Sequence, residues 1–496
     1  MQPDAYLEDG CPPGEFSEDL EPVPLDHGTV VGDVTAKTAV VWTRTDGPAL
    51  VHLTYWRADS TGDRERVTPL PSVEADDCTV RFRLADLQPD TGYEYQLWAA
   101  AGFGAGAISE PLGEPTTGRF RTAPAPDESG PVSLVWTGDT WGQGRAPPYQ
   151  VPAQMADRDP DCFLYLGDTI YADHGTPALP DGEPETVDDY RAKYREVRAE
   201  APNLRELLAS TATVAIWDDH EVGNDWAGTE EPRLPAARQA FLEYWPVDQH
   251  PSVTGEDEGR LYRSFQWGSE LALFVLDSRQ YRDDNTETDG PEKTMLGDEQ
   301  REWLKEGLAE TDATFTLVAS SVSLSSPSSA AGARDSWADG DADTGFEHEL
   351  DELLSHICQE VDSTVVWLTG DRHFARVASF DIDGDGRPEL YEALASPMGA
   401  APRDPGVPDT TFGPNIHYEE GGKYEYGEFY NFGEVRVEDG SLSISIFDKV
   451  GDRRCRVTID ADGDGWPTVE DTRTLSGPSL MGTLRRSFDD FSRLWR

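Results

Sequence analysis

Apolar and polar positions fall into contrasting textures along the chain. Between residues 28 and 125, runs such as VVGDV, TAVVWTRTD, VHLTYWRAD and TVRFRLADLQPDTGYEYQLWAA set β-branched and aromatic residues between turn residues, with no helical period. This spacing predicts a small β-sandwich over 28–125, preceded by an extension over 1–27. APAPDESGP, residues 123–131, reads as a linker. Beyond it, VSLVWTGD, DCFLYLGD, TVAIWDDH, LALFVLDS, TFTLVASS and STVVWLTGD each carry an apolar run into a polar end. They alternate with the helical candidates DDYRAKYREVRAEAPNLRELL, ARQAFLEYW, GDEQREWLKEGLAE and FEHELDELLSHI. Buried strands with polar C-terminal ends, separated by helices, predict an α/β domain over 126–470. EVRVEDGSLSISIFD predicts a hairpin at Asp439-Gly440. In the last stretch, 471–496, Leu480, Leu484, Phe488, Phe491 and Trp495 share one helical face, which predicts a helix that docks on the core or gates a site.

Composition narrows the function classes. The 496 residues carry 95 Asp+Glu against 41 Lys+Arg, a net charge of −54, while 37% hydrophobic residues exclude a disordered acidic chain. Binding to phosphate backbones or anionic lipid relies on cationic side chains, so a nucleic-acid or membrane-surface role is disfavoured. The charge fits a halophilic type of surface, solvated where salt screens self-repulsion. No apolar run is long enough for a membrane span. The start, MQPDAYLEDG, lacks the pattern of a secretory signal, so the expectation is a cytoplasmic monomer, or an extracellular or cell-surface one if a leader has been removed. The 5 cysteines are scattered and predict neither a disulfide framework nor a thiolate zinc site.

The chemistry concentrates at strand ends. Gly138-Asp139, Gly167-Asp168 and Gly370-Asp371 each follow an apolar run, where a glycine allows a sharp turn. A further strand ends in Trp217-Asp218-Asp219-His220-Glu221, with Asn224 and Asp225 close behind. Carboxylates converging on one sheet edge repel one another unless cations offset them, so a metal site is expected. Tyr171 follows Asp168 closely enough for both to reach one ion, and Asp371 and His373 alternate along what reads as an extended segment. Asp168 as a bridging carboxylate would hold two ions roughly 3.5–4 Å apart, a geometry suited to in-line displacement at phosphorus.

Two resemblances follow from these residues. Leu87-Gln-Pro-Asp-Thr-Gly-Tyr93-Glu-Tyr95 resembles the fibronectin type III signature, in which a Leu and a Tyr lock a turn between late strands. The ordered set GD…GDTIY…WDDHE…LDSRQYR…LGDEQREWL…GDRH, with HGTVVGDVTAKTAVVWTRTD in the first module, resembles the PhoD-type alkaline phosphatases of the calcineurin-like metallophosphoesterases, over most of residues 27–450. The resemblance implies an α/β sandwich of two mixed sheets flanked by helices, with an N-terminal fibronectin- or Ig-like β-sandwich. It implies a small-molecule phosphoester substrate, mono- or diester. Asp139, Asp168, Tyr171 and His373 would surround a first metal, ferric iron in the family; Asp168, Asp219 or Asn224, and Asp371 would surround a second, calcium. Manganese, magnesium and zinc are the alternatives. The chain departs from the family pattern in having no Cys beside Asp139, and from the wider superfamily in having Trp141 in place of a His and none on TLVASSVSLS.

His220, among Asp218, Asp219 and Glu221, is placed to protonate a leaving alkoxide or to orient a ligand. Arg279, Arg282 and Arg372 are expected as phosphate clamps or as structural ion-pair donors, and His174 as a pocket-lining residue or a bystander. Asp381/Asp383/Asp385 and Asp460/Asp462/Asp464 repeat a D-x-D-G-D-G spacing, with Glu392 and Asp471 at the twelfth position, and read as turns between strands or as structural calcium loops. Competing functions are a nucleotide- or phospholipid-directed phosphodiesterase on the same site, and a noncatalytic calcium-binding adhesion protein.

Overall fold

The computed structural model describes residues 21–60, 64–101, 111, 113–140, 149–247, 259–327, 335–340, 342–461 and 467–471. The predicted C-terminal helix, Asp462 and Asp464 of the second calcium-loop motif, and Trp141 lie outside the described residues.

The first module holds β1 (Pro22–Val23), β2 (Thr29–Gly32), β3 (Ala39–Arg44), β4 (Ala49–Arg57), β5 (Glu65–Arg66), β6 (Leu70–Ser72), β7 (Thr79–Leu84), β8 (Gly92–Ala101) and β9 (Thr116–Arg121). Beyond residue 131 come β10 (Val132–Thr137), α1 (Gln150–Ala156), β11 (Cys162–Leu166), α2 (Val187–Glu200), α3 (Pro202–Ser210), β12 (Ala212–Ile216) and α4 (Leu234–Tyr244). Next follow β13 (Arg263–Trp267), β14 (Leu271–Val275), α5 (Gly297–Glu310), β15 (Phe315–Ala319), α6 (Glu347–Glu360), β16 (Thr364–Thr369), β17 (Phe374–Phe380), β18 (Leu390–Ala395) and β19 (Asn415–Gly421). A short ribbon, β20 (Lys423–Tyr424) and β21 (Gly427–Glu428), precedes β22 (Asn431–Glu438), β23 (Ser441–Asp448), β24 (Arg453–Asp460) and β25 (Thr468–Asp471). The long predicted helix DDYR…RELL is two helices, α2 and α3, because Pro202 cannot continue a helix and pushes Ala201 out of the helical region (φ −110°, ψ 75°).

In the first module β1-β8-β4-β5, with β6 and β9, faces β2-β3-β7 across a core that includes Val31, Val41, Leu53, Phe82, Tyr95 and Leu97. The expected lock is present: Leu87 and Tyr93 are buried, and the Tyr93 hydroxyl accepts the Gln88 amide at 2.9 Å. The sequence does not announce that β2 pairs in parallel with β12 at Gly32–Thr213. The module's second sheet therefore continues the first sheet of the region beyond residue 131, in the order β25-β24-β23-β22-β10-β11-β12-β2-β3-β7. Side chains reinforce the junction: Trp42 Nε1 donates to the Glu243 carbonyl at 2.7 Å, and Asp77 receives Arg195 at 2.7 Å together with the Tyr244 hydroxyl.

The second mixed sheet runs β13-β14-β15-β16-β18-β17-β19. Its β14, β15, β16 and β18 are parallel, as are β10, β11 and β12 of the first, so both sheets send strand C-termini to the same end. The large core between the sheets joins Leu134, Phe163, Val214 and Trp217 to Leu273, Leu317, Val366 and Ala393. A second core seats α5 and α6 on the outer face through Leu304, Leu308, Leu350 and Leu354. The β22–β23 hairpin turns at Asp439 (φ 53°) and Gly440 (φ 76°), the left-handed pair that a two-residue turn requires. Among the described residues no helix is long and apolar enough to cross a membrane.

Candidate metal centre

The Gly-Asp pairs do not turn as the sequence suggests. The aspartates adopt the left-handed conformation themselves, at φ 61° for Asp139, 53° for Asp168 and 62° for Asp371; of the preceding glycines only Gly167 does, at 84°. Crowding is what excludes a side chain at Gly138 and Gly167. A Cβ on Gly138 would lie 2.9 Å from the Leu166 carbonyl, and one on Gly167 would lie 2.3 Å from the Asp218 Cβ. The strand ends nearly touch, and the aspartate after each glycine is swung inward. Asp371 and His373 likewise do not lie on an extended segment; His373 is also left-handed, at φ 59°, and the two flank a tight turn closed by the Arg372 amide on the Gly370 carbonyl at 2.7 Å.

Asp139, Asp168 and His373 bring ligand atoms within 4.8 Å of one another, all buried. Asp139 Oδ1 lies 2.9 Å from His373 Nε2, and the Tyr171 hydroxyl sits 3.5 Å and 3.4 Å from those atoms. The Ala401 carbonyl, 2.9 Å from His373 Nδ1, can only accept a hydrogen bond, so it fixes the proton on Nδ1. Nε2 and Asp139 Oδ1 then face each other at a spacing that suits a shared proton or two ligands of one cation. Asp168 also belongs to a group with Asp219 and His220 that meets the same 4.8 Å limit, which makes it the carboxylate common to both halves of the site. Asp371 faces Asp139 and Asp219 closely enough for their charges to raise its pKa, although burial is the larger cause. Asn224 is exposed; its amide donates to Asp173 Oδ2 at 2.8 Å.

Burial, then the charges of Asp219 and Asp139, push Asp168 well above the usual carboxylate range. Burial works to raise Asp139 as well, but the interactions with His373, Ser396 and His220 together lower it. Asp139 Oδ2 and Asp219 Oδ1 are buried and accept no hydrogen bond. Crowded carboxylates, oxygen atoms without donors and a single oriented imidazole are the donor set of a hard cation, and these residues fit one.

Several residues that the sequence reading missed, or named without this role, hold this arrangement. Glu221, 1% exposed, accepts the Thr169 amide (2.6 Å) and hydroxyl (2.7 Å) on Oε1 and the Asp168 (3.2 Å) and Asp218 (2.9 Å) amides on Oε2. It ties the β11 and β12 ends together. Asp173 accepts His220 Nδ1 at 2.7 Å and His174 Nδ1 at 3.1 Å on the same oxygen, and those hydrogen bonds override burial to hold its carboxyl well below the usual range. Burial alone would lower the His220 pKa, but the Asp219 and Asp173 carboxylates raise it from 6.5 to about 9. The Tyr171 ring stacks on His220 with centroids 4.1 Å apart. Only proximity to GDTIY and WDDH pointed to Asp173 and Glu221, and nothing in the sequence pointed to Asp335.

The arginines divide. Arg279 is 0% exposed, with Nε on Asp218 Oδ1 at 2.7 Å and Nη1 on Asp335 Oδ1 at 2.6 Å; Arg282 Nη1 meets the same Asp335 oxygen. Arg372 is partly exposed; its Nη2 is held by the Pro327 carbonyl at 2.8 Å, while its Nε has no hydrogen-bond partner. Where a superfamily histidine was sought after β15, Ser321 and Ser323 are buried, and Glu392 accepts Ser323, Ser325 and the Leu324 amide at 2.6–2.7 Å. Glu392 therefore does not complete the Asp381 loop as its twelfth-position spacing suggested. Glu389 groups with Asp381, Asp383 and Asp385 instead, in a turn between β17 and β18.

Comparison with known proteins agrees along the chain. A family profile described as PhoD-like phosphatase matches residues 134–443, and one described as its N-terminal domain matches 11–124. Alkaline phosphatase D of Bacillus subtilis (strain 168) is 28% identical over 340 residues, which are 62% of this chain and 55% of that protein, so the match spans about half of the curated relative. A solved structure of PhoD superposes with a TM-score of 0.72 at 20% identity, covering 93% of each chain. The purple acid phosphatase PPD1 from yellow lupin seeds superposes with a TM-score of 0.60 at 14% identity, covering 89% of this chain and 74% of that one.

Proposed function

The chain belongs to the PhoD-like phosphatase family, and from that premise we propose that it is a metal-dependent phosphoesterase that hydrolyses small phosphate mono- or diesters with water. The observation that carries the reading is the meeting of Asp139, Asp168 and His373 with Tyr171 above them, joined through Asp168 to Asp219. Asp139, Asp168, Tyr171 and His373 would hold one cation, and Asp168, Asp219 and Asp371, with Asn224, a second. The oxygen-rich set favours iron at the first position and calcium at the second, with manganese, magnesium or zinc as alternatives. When bound, the cations supply an acidified water and positive charge for the phosphoryl oxygens.

The chain's own groups do the rest. Asp173 holds His220 through Nδ1, which keeps a proton on the ring to pass to the departing oxygen. Arg372, whose partly exposed side chain lies with Nη1 3.5 Å from Asp371 Oδ2, grips the phosphoryl group. Arg279, enclosed by Asp218 and Asp335, positions carboxylates rather than substrate. A structural calcium in the Asp381 loop is an accessory and takes no part in the chemistry.

The test is metal analysis by mass spectrometry with hydrolysis of p-nitrophenyl phosphate and its bis-ester. Bound metal in the wild type, and a loss of roughly 10²–10³-fold or more in Asp168→Asn, is expected. Metal-free protein, or an Asp168→Asn variant with full activity, overturns the reading; the preferred ester assigns the substrate class.

A further inference from the structure

We propose that Asp173, His174 and His220 form an auxiliary site for a divalent transition metal such as zinc at the mouth of the centre, and that its occupancy inhibits the enzyme. The inhibitory part rests on the function proposed above; the binding part does not.

The three side chains bring one ligand atom each within 4.8 Å of one another. Asp173 Oδ1 is 2.7 Å from His220 Nδ1 and 3.1 Å from His174 Nδ1. Bonds of about 2.0–2.2 Å to a tetrahedral ion separate neighbouring ligands by roughly 3.3–3.5 Å, so the triad opens by only about half an ångström to admit one. The frame around it is built. Asp173 Oδ2 is pinned by the Asn224 amide at 2.8 Å, and the buried Lys193 Nζ holds the His174 carbonyl at 2.5 Å and Thr176 Oγ1 at 3.0 Å. Tyr171 packs on both rings, with centroids 4.1 Å from His220 and 5.3 Å from His174. The His174 side chain is 34% exposed and those of Asp173 and His220 are 13% and 12%, which leaves a path from solvent.

The donor set differs from that of the main centre. Two imidazoles and a carboxylate select zinc, cobalt, nickel or copper, whereas the oxygen-rich centre selects harder ions. Seating such a transition metal replaces the Nδ1 proton that His220 shares with Asp173, and so takes His220 out of its proton-delivering arrangement.

The experiment titrates Zn2+ into the metal-loaded enzyme and into loaded His174→Ala, each rate normalised to its own value without added zinc. In parallel, Co2+ is added to both and followed by absorption and bound-metal count. Inhibition of the wild type at roughly micromolar zinc is expected, with the midpoint at least about tenfold higher in His174→Ala. One additional cobalt with a visible d–d band in the wild type alone is the matching result. Equal zinc midpoints would place inhibition at the main centre and overturn the regulatory claim. Equal cobalt counts and spectra overturn the site itself, and that outcome stands whatever reaction the protein catalyses.

Discussion

His27, at the edge of the first module, is held neutral by its surroundings. Burial lowers its pKa from 6.5 to about 4, and the Arg44 guanidinium, with Nη1 3.2 Å from the ring Nδ1, adds to the shift. The unfolded chain takes up a proton near pH 6.5, but the folded chain resists until about pH 4, so stability is lost as pH falls through that window. At 1.36 kcal/mol per pH unit the full effect is about 3 kcal/mol, of which about 2–3 kcal/mol is lost between pH 7 and pH 4.5. His27→Gln keeps an acceptor for Arg44 without a titrating ring. Urea midpoints at pH 7 and pH 4.5 in the same salt should show the wild type losing about 2–3 kcal/mol more than the variant. Equal losses would mean that the ring is not held neutral in the folded chain.

At the scale of elements, the site depends on how strand ends are fastened, and Glu221 is the fastening. Glutamine there keeps one acceptor oxygen, so the amides now served by the other lose their partner in a buried place. Glu221→Gln should cost about 2–4 kcal/mol in denaturant unfolding and reduce bound metal per chain, because Asp168 shifts with its turn. Full metal content at unchanged stability would remove Glu221 from the architecture of the centre. The same elements show what a sequence discloses. Short apolar runs ending in Gly-Asp were legible because a strand buried on both faces reads as a continuous run and its end is where polar groups appear. Asp139, Asp168 and His373 were legible for that reason. Asp173 and the tying role of Glu221 were not, since both arise from two loops that only the parallel register of β11 on β12 brings together. The turn geometry was misread at Gly138, because crowding by the Leu166 carbonyl leaves no trace in local sequence. The junction of β2 with β12 was hidden for a related reason: one residue pair joins the sheets, too little to shape a pattern.

Over the whole molecule, the net charge of −54 stands beside a set of cations that are drawn inward. Arg279, Arg282, Arg191 and Arg376 are all buried, and Arg191, for example, is paired with Glu243 at 2.6 Å. Each interior pair removes one charge of each sign, so the surplus of −54 stays on the exterior, which repels itself. Repulsion between exposed charges fades as the screening length falls from about 10 Å at 0.1 M salt to about 3 Å at 1 M. Thermal midpoints measured in rising potassium chloride should therefore climb steeply at first, by about 3–5 °C if several kcal/mol of repulsion is relieved, and level off near 1 M. The shape of the curve is decisive. Salts that act by exclusion from the protein surface keep stabilising as concentration rises, so a linear climb through several molar would assign the effect to solvent exclusion. A flat profile would show that the acidic surface carries no repulsive load at all.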